Sequence, residues 1–136
     1  MVDVETVILY VDDDLFSRQV MEMLLVRGLQ FRHVTLFETS AEFMCRLEAL
    51  PHKPHLIFLD IHMQPHDGFA LLDMLRAHEG YRETRIVAVT ASVMNEEVEQ
   101  LRRAGFDGVL AKPIDQKTFP DSLGRILKGE RVWNVT

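Results

Sequence analysis

Five short apolar runs punctuate the chain, and two of them end on a polar residue. "TVILYV" (6–11), "HLIFLD" (55–60), "RIVAVT" (85–90) and "GVLA" (108–111) read as buried strands, and "FRHVTLF" (31–37) alternates like a strand nearer a sheet edge. The first and third runs are apolar at consecutive positions, the mark of a strand covered on both faces.

Helical spacing fills the intervals. In "LFSRQVMEMLLVRGL" the stripe Phe16, Val20, Met23 and Leu24 is expected to face inward, with Gly28 as the stop. "SAEFMCRLEAL" places Ser40 as N-cap and turns Phe43, Leu47 and Leu50 inward. "GFALLDMLRAH" (68–78) offers Leu71, Leu72 and Leu75. "MNEEVEQLRRAG" runs from Asn95 to Gly105 with acids early and arginines late, as the helix dipole favours. The last helix opens at Thr118, with Pro120 and Asp121 in its first turn. Five strand–helix alternations predict an α/β fold: a doubly wound (βα)5, flavodoxin-like five-stranded parallel sheet with helices on both faces.

Composition narrows the class without changing the fold. The chain has 136 residues, 47% of them hydrophobic, and a formal charge of −6, with its basic residues scattered among acids. Clustered positive charge is what phosphate-backbone binding needs, so no direct nucleic-acid partner is expected. No apolar run approaches a membrane span, and the acidic start lacks a secretory n-region. The single cysteine, Cys45, fits a reducing cytoplasm and is expected to be a small core residue. One domain over residues 1–129 is expected, with a short, frayed tail at 130–136 that holds Trp133 and leaves no room for an output domain.

The acids then change the picture. In an open doubly wound sheet, ligands bind beyond the carboxyl ends of the strands. Asp12, Asp13 and Asp14 follow the first strand, Asp60 closes the third, Thr90 the fourth, and Lys112 follows the fifth. Converging carboxylates repel unless a cation offsets them, and carboxylate donors suit a hard divalent ion, Mg²⁺ or Mn²⁺. Asp13 and Asp60 are the expected direct ligands, with Asp12 acting through water. Asp14 reads as a solvated helix start. A cation, a lysine and a hydroxyl together suit a phosphoryl group, and Asp60 is the candidate nucleophile. His62 and His66 flank it, but without cysteine ligands they read as loop histidines rather than a zinc site.

These motifs, "ILYVDDD", "LIFLD", "DG" at Asp67–Gly68, "VAVTA" and "AKP", resemble in order and spacing the receiver domain of two-component response regulators. The resemblance implies that Asp60 accepts phosphate from a histidine kinase or phosphotransfer protein. Asp12, Asp13, Asp60 and the backbone carbonyl of His62 would hold Mg²⁺. Lys112 would contact a phosphate oxygen, Thr90 would swing toward it, and small Ala91 would leave it room. The Lys112–Pro113 bond is cis in such domains. The family's aromatic three residues before the lysine is Val109 here, so coupling would run through Thr90 and the backbone. Its proline four residues after the acceptor is Gln64, with Pro65 one place later, which predicts a different loop path.

The reading implied is a stand-alone, phosphorylation-controlled switch and not an enzyme. Its output would be docking to a downstream protein through the fourth helix, fifth strand and fifth helix, a face that also permits a homodimer. The alternatives are a docking module that is never phosphorylated and, further off, a phosphatase or phosphotransferase with an aspartyl-phosphate intermediate. His62 stands where aspartyl phosphatases place their second acid. His62 and Ser92 would border the path of hydrolytic water and tune the lifetime of the phosphate.

Overall fold

The computed structural model describes residues 3–133. Its strands are β1 (Val7–Val11), β2 (His33–Phe37), β3 (Leu56–Asp60), β4 (Arg85–Thr90) and β5 (Val109–Ala111). Its helices are α1 (Leu15–Glu22), α2 (Phe43–Glu48), α3 (Gly68–Ala77), α4 (Asn95–Ala104) and α5 (Phe119–Leu127). The strands form one parallel sheet in the order β2-β1-β3-β4-β5, so the chain reverses direction across the sheet between β1 and β3. That reversal opens a crevice at the carboxyl ends of β1 and β3.

Strand alternation divides the core in two. Ile8, Tyr10, Leu56, Phe58, Val87, Val89 and Leu110 pack with Met21, Leu25, Phe119, Leu123 and Ile126 of the α1 and α5 layer. Leu9, Val11, Ile57, Leu59, Ile86 and Ala88 pack with Phe43, Leu47, Leu71, Leu72, Leu75 and Leu101 of α2, α3 and α4. The central strands are buried on both faces, as their unbroken apolar runs require.

Several local expectations are corrected. After Glu22 the first helix continues as a π-helical segment, Met23–Gly28. Met21, Leu24 and Leu25 turn inward, whereas Phe16 is 66% exposed and Met23 39%. Apolar residues occupy most of this helix's circumference, so more than one stripe fits the sequence, and the sheet selects the one that meets Tyr10 and Phe58. Ser40 does not cap α2, whose N-cap is Glu42 with φ 53° and no side-chain bond. Ser40 is instead buried, and its hydroxyl donates to the His66 carbonyl at 2.7 Å and accepts from the His66 amide at 2.9 Å. Thr118 makes no capping bond to α5. Cys45 is exposed on α2 rather than in the core.

The frayed tail is also overturned as far as Trp133; residues 134–136 lie outside the described region. Val132 is buried, pairs in parallel with Gly108, and its carbonyl accepts the Val109 amide at 2.8 Å. Trp133 packs on the α4 side, with the Arg102 guanidinium 4.9 Å from its ring centre.

Gly68, the first residue of α3, lets that helix sit against the end of β3. A Cβ there would lie 2.7 Å from the Asp60 carbonyl oxygen and 2.8 Å from Ile61 Cδ1. Gly68→Ala is expected to cost about 2 kcal/mol, the usual scale of overpacking, seen as a lower urea midpoint with unchanged slope. An unchanged midpoint would show that β3 yields freely at this point.

Candidate functional site

The same alternation that builds the core builds the site. Tyr10 and Asp12, Phe58 and Asp60, and Leu110 and Lys112 are successive same-side residues at the ends of β1, β3 and β5. Asp12, Asp60 and Lys112 therefore converge on the α1 and α5 side of the rim. Lys112 Nζ lies 2.8 Å from Asp12 Oδ2 and 3.1 Å from Asp60 Oδ1, a single ammonium between two carboxylates. Asp12, Asp13 and Asp60 each present an oxygen within 4.8 Å of the others. Asp12 and Asp60 are buried while Asp13 is exposed, so the cluster opens to solvent on one side. Three hard oxygen donors at that spacing, on an accessible rim, fit a small divalent cation.

Electrostatics agree with the placement. Burial, then the Asp12 charge, raises the Asp60 pKa to about 6, against the opposing pull of Lys112. Burial disfavours the Lys112 charge, but its hydrogen bond to Asp12 and the charges of Asp12 and Asp60 outweigh that and raise its pKa. Lys112 is thus a fixed cation at neutral pH. Asp60 carries a partly frustrated charge that a metal ion would relieve.

Thr90 closes β4 with its side chain buried, and its Oγ1 accepts the Ser92 amide at 3.1 Å. Its carbonyl accepts the Lys112 amide at 2.9 Å, tying the fourth strand's end to the lysine. Ala91 is exposed and lines a small groove of about 190 Å³ with Phe16, Val20, Lys112 and Ile114. On the other side of Thr90, His62, Phe69, Ser92, Glu97 and Leu101 line a second recess of about 290 Å³. His62 is exposed and His66 half-buried, both on the loop between β3 and α3. Asp14 is the N-cap of α1, accepting from the Ser17 amide at 2.9 Å, and these Ser17 bonds hold its carboxyl below the usual range.

The Gln64–Pro65 peptide bond in the loop after Asp60 is cis, as is Lys112–Pro113. Asp67 caps α3 by accepting the Ala70 amide at 2.8 Å, and Ser40 holds the loop at His66. Val109 is fully buried among Leu101 and Phe106 and offers no mobile side chain.

Two residues escape the sequence reading. Tyr10 is fully buried in β1 and donates its hydroxyl to Asp12 Oδ2. Arg18 of α1 donates to the Asp12 carbonyl at 2.7 Å. A hydroxyl inside an otherwise apolar strand, two residues before an acid on the same face, was the available signal for Tyr10.

Comparison with known proteins agrees with this architecture. The family model described as "Response regulator receiver domain" matches residues 8–123. The histidine-protein kinase BarA of Shigella flexneri is 30% identical over 92% of this chain, a match spanning 13% of that kinase's length. The polar-differentiation response regulator DivK of Brucella ovis is 32% identical over 57% of this chain and 66% of its own. The structure of chemotaxis response regulator CheY4 of Vibrio cholerae superposes with a TM-score of 0.78 at 23% identity, covering 89% of this chain and 98% of that one. No described helix is long and apolar enough to cross a membrane. With a family match over most of its length, the chain belongs to the response regulator receiver domains of two-component signalling.

Proposed function

We propose that this receiver accepts a phosphoryl group on Asp60 in a Mg²⁺-dependent transfer, and that the acquired charge alters how it docks to another protein. The observation that carries the reading is the pairing of Lys112 with both Asp12 and Asp60 beside the three-carboxylate cluster. A carboxylate oxygen of Asp60 attacks phosphorus in line. The bond from phosphorus to the donor, a histidine imidazole or a small acyl phosphate, breaks and its electron pair leaves with the donor. Asp12, Asp13, Asp60 and the His62 carbonyl would hold the cation, whose chemistry is to neutralise charge on the phosphoryl oxygens. Lys112 moves its ammonium to one of those oxygens, the Thr90 hydroxyl turns toward another, and Ala91 leaves space beside them.

The exposed apolar side chains are Phe16, which lines a groove with Lys112 and Pro113, and Leu15, 59% accessible, which precedes it in the chain. They favour a protein phosphodonor over a free small molecule. The proposed output face is α4–β5–α5. With Val109 buried, the signal would reach it through Thr90 and its backbone bond to Lys112. Phosphorylation adds roughly −1.5 to −2 charges at neutral pH, enough to bias a face with two arrangements.

Incubation of the chain with Mg²⁺ and acetyl phosphate, followed by intact mass, tests the assignment. One phosphoryl adduct is expected, absent in Asp60→Asn and absent with chelator. No adduct would favour a docking module that works unphosphorylated. Sustained turnover of a small phosphoester would favour an enzyme.

A further inference from the structure

We propose that Tyr10 is a positioning residue for the divalent cation: its hydroxyl fixes the Asp12 carboxylate and so sets how tightly the acidic site holds the ion. The inference rests on the metal-binding reading of the site. Of the five residues of β1, Tyr10 alone carries a polar side-chain atom. Its ring does what a phenylalanine would do, packing edge-on to Phe58 with centroids 6.4 Å apart. The hydroxyl adds nothing to that packing, and burying it without a partner costs about 1–3 kcal/mol. Its partner is Asp12 Oδ2, on the same face two residues along.

Asp12 is wholly buried and held from several sides. Oδ2 accepts from Tyr10 and from Lys112 at 2.8 Å, and Oδ1 accepts from the Asp14 amide at 2.9 Å. Both oxygens are therefore aimed before any cation arrives. Lys112 is shared with Asp60, and an incoming phosphoryl group would draw it away. Tyr10 then remains as the side-chain donor on Oδ2, so it holds Asp12 in place through the whole transfer.

Partners that orient a metal-ligating carboxylate typically contribute ten- to a hundredfold in affinity. Calorimetric titration of Mg²⁺ into the wild-type chain, Tyr10→Phe and Tyr81→Phe, with near-ultraviolet difference spectra on the same samples, tests the role. The chain has two tyrosines, so the variants separate their signals. Tyr10→Phe is expected to weaken Mg²⁺ about tenfold or more while Tyr81→Phe leaves it unchanged. Mg²⁺ should also perturb the tyrosine spectrum of the wild type and Tyr81→Phe but not of Tyr10→Phe. Equal affinity in Tyr10→Phe and wild type overturns the role of Tyr10 and leaves the metal site standing. A wild-type spectrum that Mg²⁺ does not perturb overturns it too, even if Tyr10→Phe fails to fold. Failure of the wild type to bind Mg²⁺ at all overturns the reading of the site, and this inference with it.

Discussion

Lys112→Met is expected to lower stability by about 3 kcal/mol at pH 7 without divalent ions, the scale for removing one partner of a buried charge pair. Asp12 and Asp60 would then face each other with no cation between them, both nearly excluded from water. The size of the loss should depend on solution conditions in a way that lost packing would not. At pH 5 one carboxyl can take up a proton and most of the loss should disappear. Saturating Mg²⁺ should offset it at pH 7. Urea titrations at both pH values, with and without the ion, give the four numbers required. A loss equal under all four conditions would mean that the lysine stem, not its charge, is what the fold uses.

Asp60→Asn should change stability in the opposite direction. The Asp60 pKa is raised in the folded chain, so its contribution to stability is present below the unfolded value of 3.8 and is lost as pH rises through about 6. At pH 7 the ionised side chain thus works against folding in the metal-free protein. A shift from 3.8 to about 6, at about 1.4 kcal/mol per pH unit, sets the gain from neutral Asn at roughly 2–3 kcal/mol. The gain should fade toward pH 4, where the wild-type carboxyl is itself protonated. Mg²⁺ should stabilise the wild type more than the variant, narrowing the difference. A variant less stable than wild type at pH 7 without metal would show that the Asp60–Lys112 attraction exceeds the burial cost. A site that weakens its own fold until a ligand arrives is the expected form of a functional cluster.

The two predictions concern residues that the sequence displays openly. β1, β3 and β4 were legible because strands buried on both faces have no polar positions to disguise them. Asp60 and Thr90 were legible because a polar residue ending such a run has few structural reasons to be there. What the one-dimensional pattern did not determine was choice among equivalents. Phe16 and Met21 are both apolar on one helix, and only the sheet beneath decides which turns inward. Ser40 stands where a cap would stand, yet its hydroxyl bonds to His66, 26 residues away, a contact that local rules do not see. The type of Cys45 suggests the core, whereas its helix position faces solvent. Tyr10 gives no signal by its type, because a tyrosine is at home in any strand, and its hydroxyl matters only through its bond to Asp12.

The pairing of Val132 with Gly108 has a consequence for how copies of this protein meet. β5 is three residues long and forms the sheet's outer border, and bare borders invite pairing with another chain's strand. The Val109 amide, which would otherwise point outward from that border, is already satisfied by the Val132 carbonyl. Gly108 leaves room for this, since a Cβ there would sit 2.9 Å from the same oxygen. The Val132 segment thus acts as a selvedge, covering the start of this border against edge-to-edge pairing while leaving the carboxylate cluster at the opposite end of the strands untouched.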